Sequence, residues 1–79
     1  MNLYHISQSV NNGWDTYDSA VVAAETAEQA AATHPYEFAA WDSIFPMWAS
    51  FPEQVTVKLI GTALEGTTAG VILSSFNAG

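Results

Sequence analysis

Leu3-Tyr4-His5-Ile6-Ser7-Gln8-Ser9-Val10-Asn11-Asn12-Gly13-Trp14-Asp15-Thr16-Tyr17-Asp18-Ser19-Ala20-Val21-Val22-Ala23-Ala24 is the stretch that decides the fold. Tyr4, Ile6 and Val10 share one side at period two, with Gln8 the exception, and this predicts a half-buried strand over Leu3 to Val10. Asn11-Asn12-Gly13 supplies turn chemistry, because asparagine and glycine both tolerate positive φ, so the chain can reverse into a second strand over Tyr17 to Ala24. Ala20, Val21, Val22, Ala23 and Ala24 leave neither face of that strand polar. A central strand is expected there, covered on both sides or closely approached by a helix. The unit is a β-hairpin.

Beyond the hairpin, Thr26 to Gln29 reads as a capping box, with the threonine hydroxyl accepting from the Gln29 N–H and the glutamine side chain reaching back. Ala27, Ala30, Ala31 and His34 then recur at helical spacing as a narrow stripe of small side chains. Pro35 disfavours helical geometry at His34, so the helix is expected to end at Thr33 or His34. From Pro35 to Gln54, six aromatics (Tyr36, Phe38, Trp41, Phe45, Trp48, Phe51) are punctuated by Pro35, Pro46 and Pro52. So long a structureless loop is unusual in a compact domain, which predicts a short helix over Glu37 to Ile44 with Phe38, Trp41 and Phe45 facing one way. Val55, Val57 and Leu59 alternate with Thr56 and Lys58, a strand with one polar face running to about Ala63. Glu65-Gly66-Thr67-Thr68 turns the chain into a last strand over Gly70 to Phe76, leaving Asn77-Ala78-Gly79 as a short tail. The whole, residues 1–79, reads as one α+β domain: a small antiparallel four-stranded sheet (strand-strand-helix-strand-strand) with one or two short helices on one face.

Eight acids (Asp15, Asp18, Glu25, Glu28, Glu37, Asp42, Glu53, Glu65) face one base, Lys58, for a net charge of −7. One base cannot supply the counterion release that phosphate-backbone binding requires, so direct nucleic-acid binding is not expected. The field favours a basic partner surface and faster encounter with it. Only 11% of the residues are charged, so the chain is short of bases more than rich in acids. That weighs against a dense phosphate mimic and leaves a merely solubilising role open. The absence of cysteine removes thiolate metal sites and a disulfide-stapled secreted fold. Met1-Asn2-Leu3-Tyr4-His5 has neither a basic flank nor an apolar run of signal length, so the expectation is a cytoplasmic protein without a membrane span.

No catalytic, cofactor or metal constellation is legible. Two histidines, His5 and His34, are not spaced as a helical pair and are too few for most zinc sites. His34 is expected at a helix C-terminus, where a partly charged imidazole suits the dipole. Asp15 and Asp18 flank the hairpin turn, where turn and cap roles account for them, and the run lacks the ligand pattern of a calcium loop. No Gly-x-Ser-x-Gly, dinucleotide or phosphate-loop signature is present. The aromatics remain. Trp14, in a polar turn, is expected to project outward, whereas Trp41 and Trp48 are either core or exposed anchors.

The stretch Asn11 to Ala24, the ending Gly70-Val71-Ile72-Leu73-Ser74-Ser75-Phe76-Asn77-Ala78-Gly79 and the intervening Val55-Thr56-Val57-Lys58-Leu59-Ile60-Gly61 resemble short uncharacterised proteins of tailed bacteriophages. The resemblance covers about half of the chain and carries no active site. It implies a phage accessory protein acting in the cytoplasm of an infected bacterium, a class that includes inhibitors of host enzymes and of defence systems such as CRISPR effectors. The leading expectation is a non-enzymatic binder of a host protein with a basic surface, using Trp14, Asp15, Tyr17 and Asp18 with Trp41 and Trp48. The alternatives are a self-assembling or virion-associated homo-oligomer and a small-ligand-sequestering protein with an aromatic-lined pocket.

Overall fold

The computed structural model describes residues 1–11, 13–36, 41 and 47–77. Their elements are β1 (Asn2–Ser7), β2 (Thr16–Ala24), α1 (Ala27–Ala31), a 3-10 turn (Pro52–Gln54), β3 (Thr56–Thr62) and β4 (Gly70–Asn77). The four strands form one antiparallel sheet in the order β3-β1-β2-β4. With so little helix, the fold is mostly β.

The hairpin register follows from side-chain alternation. Tyr4 lies opposite Val22 and Ile6 opposite Ala20, so the large and small apolar residues of the two strands share one face. That face is the core: Tyr4, Ile6, Ala20, Val22 and Ala24 pack with Ala30 of α1 and with Trp48 and Ala49. Val57 of β3 and Val71 of β4 extend it toward the edges. β2 is central, as its apolar run implies, and α1 packs against β1, β2 and β3. Leu3, His5, Ser7, Ser19 and Val21 point to the opposite face, which holds an open hollow of about 350 Å³ lined by residues of β1, β2 and β4.

Expectations about the ends of two elements, β1 and α1, need correction. β1 stops at Ser7, and Val10 lies beyond it, exposed. α1 stops at Ala31 rather than at Thr33 or His34: the Thr33 N–H bonds three residues back to the Ala30 carbonyl, tightening the chain out of the α-helix ahead of Pro35. Of its expected stripe, Ala30 is buried while Ala27 is exposed. The cap forms: Thr26 Oγ1 accepts from the Gln29 N–H at 3.1 Å, and Gln29 Oε1 accepts from the Glu25 N–H at 3.0 Å, one residue further back than in the usual box. On β3, Leu59 shares the core face with Val57, yet it is exposed because β3 is an edge. The expected helix over Glu37 to Ile44 lies outside the described residues except for Trp41.

β3 and β4 are consecutive strands but not a hairpin. Residues 63–69 carry the chain from one edge, past the end of the sheet where Asn2, Ala24, Thr62 and Gly70 lie, to the other edge. The Ala63 N–H donates to the Met1 carbonyl at 3.0 Å, prolonging the pairing of β1 with β3 before the chain departs. Gly66 (φ 88°) and Gly70 (φ 135°) sit in the left-handed region, where a side chain would be strained.

His34 is not a charged helix cap. It lies three residues beyond α1, buried, with Nδ1 accepting from the Tyr36 N–H at 3.0 Å and the ring edge-on to Trp41 at 5.4 Å. Burial lowers its pKa below the ordinary imidazole value. As pH falls, the unfolded chain takes up the proton first. The contribution to stability is therefore present above about 6.5, the ordinary value, and is lost as pH drops through the folded-state value. Urea midpoints at pH 7.5, 6.5 and 5.5 should fall in that order, and less steeply for His34→Gln. An equal fall in both proteins would remove His34 as the cause.

Candidate functional site

Among the described residues the β1–β2 connection is held by a dense set of hydrogen bonds, built outward from one amide. Gln8, the exception in the strand alternation, sits with Tyr4 and Ile6 on the core side, buried. Its Nε2 donates to the carbonyls of Asn11 (2.6 Å) and Tyr17 (2.8 Å), and its Oε1 accepts from the N–H groups of Val10 (2.8 Å) and Asn11 (2.9 Å). These four bonds use the full capacity of a side-chain amide. The turn is also held from outside. Asn11 Nδ2 donates to the Trp48 carbonyl at 2.6 Å, and the Tyr17 N–H donates to the Met47 carbonyl at 2.7 Å. At its far side, the Asp15 N–H donates to the Asn77 carbonyl (2.6 Å) and Asn77 Nδ2 donates to the Gly13 carbonyl (3.0 Å). Thr16 Oγ1, buried, also donates to the Gly13 carbonyl at 2.7 Å.

Trp14 stands on this frame with 72% of its surface exposed, beside Asp15, whose φ of 59° is the left-handed conformation that aspartate tolerates. Asp18, one strand position on from Tyr17, is also exposed, its Oδ1 accepting from the Ser19 hydroxyl at 3.3 Å. With eight acids to one base in the chain, most carboxylates have no internal counter-charge.

No protein-family model, curated protein or solved structure matches the chain. What the surface can do therefore rests on its own chemistry. The described surface of this connection carries one exposed indole, Trp14, with exposed carboxylates at Asp15 and Asp18 in the same stretch of chain.

The other sequence-predicted contact residues divide. Tyr17 is half-buried, packed on the core and edge-on to Phe76 at 4.8 Å, so it braces the turn from below. Trp41 is half-buried against the core and His34. Trp48 is a correction: it is fully enclosed, at 0% exposure, and cannot touch a partner. Its side chain fills the core while its backbone carbonyl holds Asn11, so it supports the turn without belonging to its surface. The aromatic-lined pocket expected of a ligand-sequestering protein does not correspond to the hollow on the open face, which His5, Val21, Leu73 and serines line. Among the described residues no group of three or more His, Cys, Asp or Glu could hold a metal ion, and no helix is long and apolar enough to cross a membrane.

Sequence reasoning missed Gln8, Asn11 and Asn77 as the frame of the epitope. Gln8 did carry a signal: a polar residue at a core-parity position has to satisfy its amide internally. Asn77, assigned to a tail, gave none, because its partners lie more than sixty positions away in the chain.

Proposed function

We propose that this chain is a non-enzymatic α+β binding module that presents Trp14, flanked by Asp15 and Asp18, to a basic surface on another protein. The observation that carries this reading is an exposed indole on a turn whose backbone is held by hydrogen bonds from three sides. The flanking backbone is tied to Gln8, to the 47–48 segment and to the end of β4. A preorganised contact loses little conformational entropy on binding, so more of the aromatic burial appears as affinity. The carboxylates govern encounter rate and partner choice more than residence time. The phage resemblance makes the partner a host protein in the bacterial cytoplasm and the outcome an inhibition, of a host enzyme or of a defence system such as a CRISPR effector.

Capture from bacterial lysate on the immobilised chain, followed by titration of the captured protein, tests this. Trp14→Ala should weaken binding by about thirtyfold, as central aromatic anchors do, while moving the melting midpoint little. Asp15→Asn keeps the left-handed backbone and removes the charge; combined with Asp18→Asn it should slow association and flatten its salt dependence. Unchanged affinity in Trp14→Ala would sink the proposal.

A further inference from the structure

The two edges of the sheet are not alike. β3, at one edge, carries Lys58 as its third residue and a bulge between the positions opposite Leu3 and Tyr4, both of which discourage another strand from adding there. β4, Gly-Val-Ile-Leu-Ser-Ser-Phe-Asn over Gly70–Asn77, has no charge and no proline. Among the described residues it has one strand neighbour, β2, so every second backbone amide along its outer side faces away from the sheet. Of its two register shifts, the one at Asp18 is an extra residue of β2, and β4 itself is irregular only at Ile72, which leaves Leu73 to Asn77 a regular extended run. That run is ordered before any partner arrives, since Asn77 is fixed to the Trp14 turn.

We infer that β4 is the interface between two copies of this chain, which pair edge to edge and antiparallel into one eight-stranded sheet. The occupant follows from charge and symmetry. A copy of net charge −7 is repelled least where the meeting surfaces carry no acid; β4 carries none, and unlike β3, the other acid-free edge, it has no lysine and keeps a regular run over Leu73 to Asn77. A basic partner, by contrast, gains nothing from an uncharged strand. An antiparallel pair across a two-fold axis needs only one self-complementary patch, and a single uncharged strand supplies it. With the axis normal to the sheet, the open faces of both copies lie on the same side. Leu73, 69% exposed, and Ile72, 53% exposed, then gain apolar neighbours across the axis. The hollow beside Leu73 becomes part of a larger shared face. A short chain without cysteine gains stability from a second subunit that its own core does not supply. The area is small for an interface, which places the dimer in the weak class, with dissociation at about micromolar concentrations. This inference stands apart from the Trp14 reading, because it rests on β4 and not on the turn.

Sedimentation equilibrium of the full chain should show a species of twice 8.5 kDa that grows with concentration over about 5 to 500 μM. Salt raised from about 50 to 500 mM should strengthen the dimer severalfold by screening like charges, the reverse of its effect on a basic partner. Leu73→Lys should weaken dimerisation at least tenfold, although it reduces the net repulsion between copies. Thr56→Lys on β3 should leave it unchanged. Circular dichroism establishes that each variant is folded; should Leu73→Lys not fold, Ser75→Lys takes its place. Hydrogen exchange at Leu73 to Asn77 should slow with concentration. A chain that stays monomeric at both salts overturns the inference, as does one whose β4 amides slow only when a different protein is added. Equal effects of the β3 and β4 lysines overturn it too.

Discussion

Trp48→Ala is expected to remove about a quarter or more of the folding free energy at 25 °C. Trp48 is the largest fully enclosed side chain, packed among Tyr4, Ile6, Ala20 and Val22 on the covered face of the sheet. Truncating a buried tryptophan to alanine costs about 3–5 kcal/mol, from lost transfer energy and the cavity left behind. A chain of this length has a total stability of roughly 4–12 kcal/mol at typical per-residue values. The substitution therefore consumes about a quarter of that stability at least and all of it at worst. The Trp48 indole N–H has no hydrogen-bond partner among the described residues, an orphan whose burial costs about 1–3 kcal/mol. Trp48→Phe removes that orphan while keeping a ring in place, so it should cost less than half as much as Trp48→Ala. Urea denaturation of the three proteins decides the matter. Equal costs for Phe and Ala would mean that the indole N–H is satisfied and that the lost volume is not what destabilises.

The same tryptophan shows where the sequence was informative and where it was not. The strands were legible because Tyr4 and Ile6 alternate with polar residues and because Val71 to Phe76 cluster β-formers. Periodicity of two is local, and any eight residues can display it. The cap at Thr26 was legible for the same reason. Whether an aromatic in a proline-punctuated segment faces inward depends on which strands it meets. Trp48 shares the core cluster with Tyr4 and Val22, from which more than twenty residues separate it, so no local pattern says which way it faces. Trp14 was the easier case, since a turn between paired strands leaves one side open to water. The strand order was not legible at all. β3 and β4 are joined by a loop rich in turn residues, which suits a hairpin equally well, and only the satisfied pairing of β1 with β2 sends them to opposite edges.

Gln8→Met should cost about 2–4 kcal/mol, at roughly 0.5–1.5 kcal/mol for each of four hydrogen bonds with water recovering part of the loss at the exposed Val10 end. Methionine has nearly the same length and fills the same space, so this is a test of polarity and not of packing. The released groups are the N–H of Val10 and both the N–H and the carbonyl of Asn11, with the Tyr17 carbonyl, which together fix the path of the turn. Their amides at Val10 and Asn11 should exchange with solvent faster, and binding through Trp14 should weaken although that side chain is untouched. Gln8→Glu separates donors from acceptors. A carboxylate keeps the two acceptor contacts but sets negative charge against the carbonyls of Asn11 and Tyr17, and protonation restores one donor. The folded state therefore favours the protonated acid, so stability in Gln8→Glu should be present at low pH and lost as pH rises through the carboxylate range. That is opposite in sign to the His34 effect of the parent chain, and the two are separable in one protein. Gln8→Met melting within about 0.5 kcal/mol of the parent, the range of an ordinary surface change, would show that the turn holds itself and that Trp14 owes its rigidity to something other than this amide.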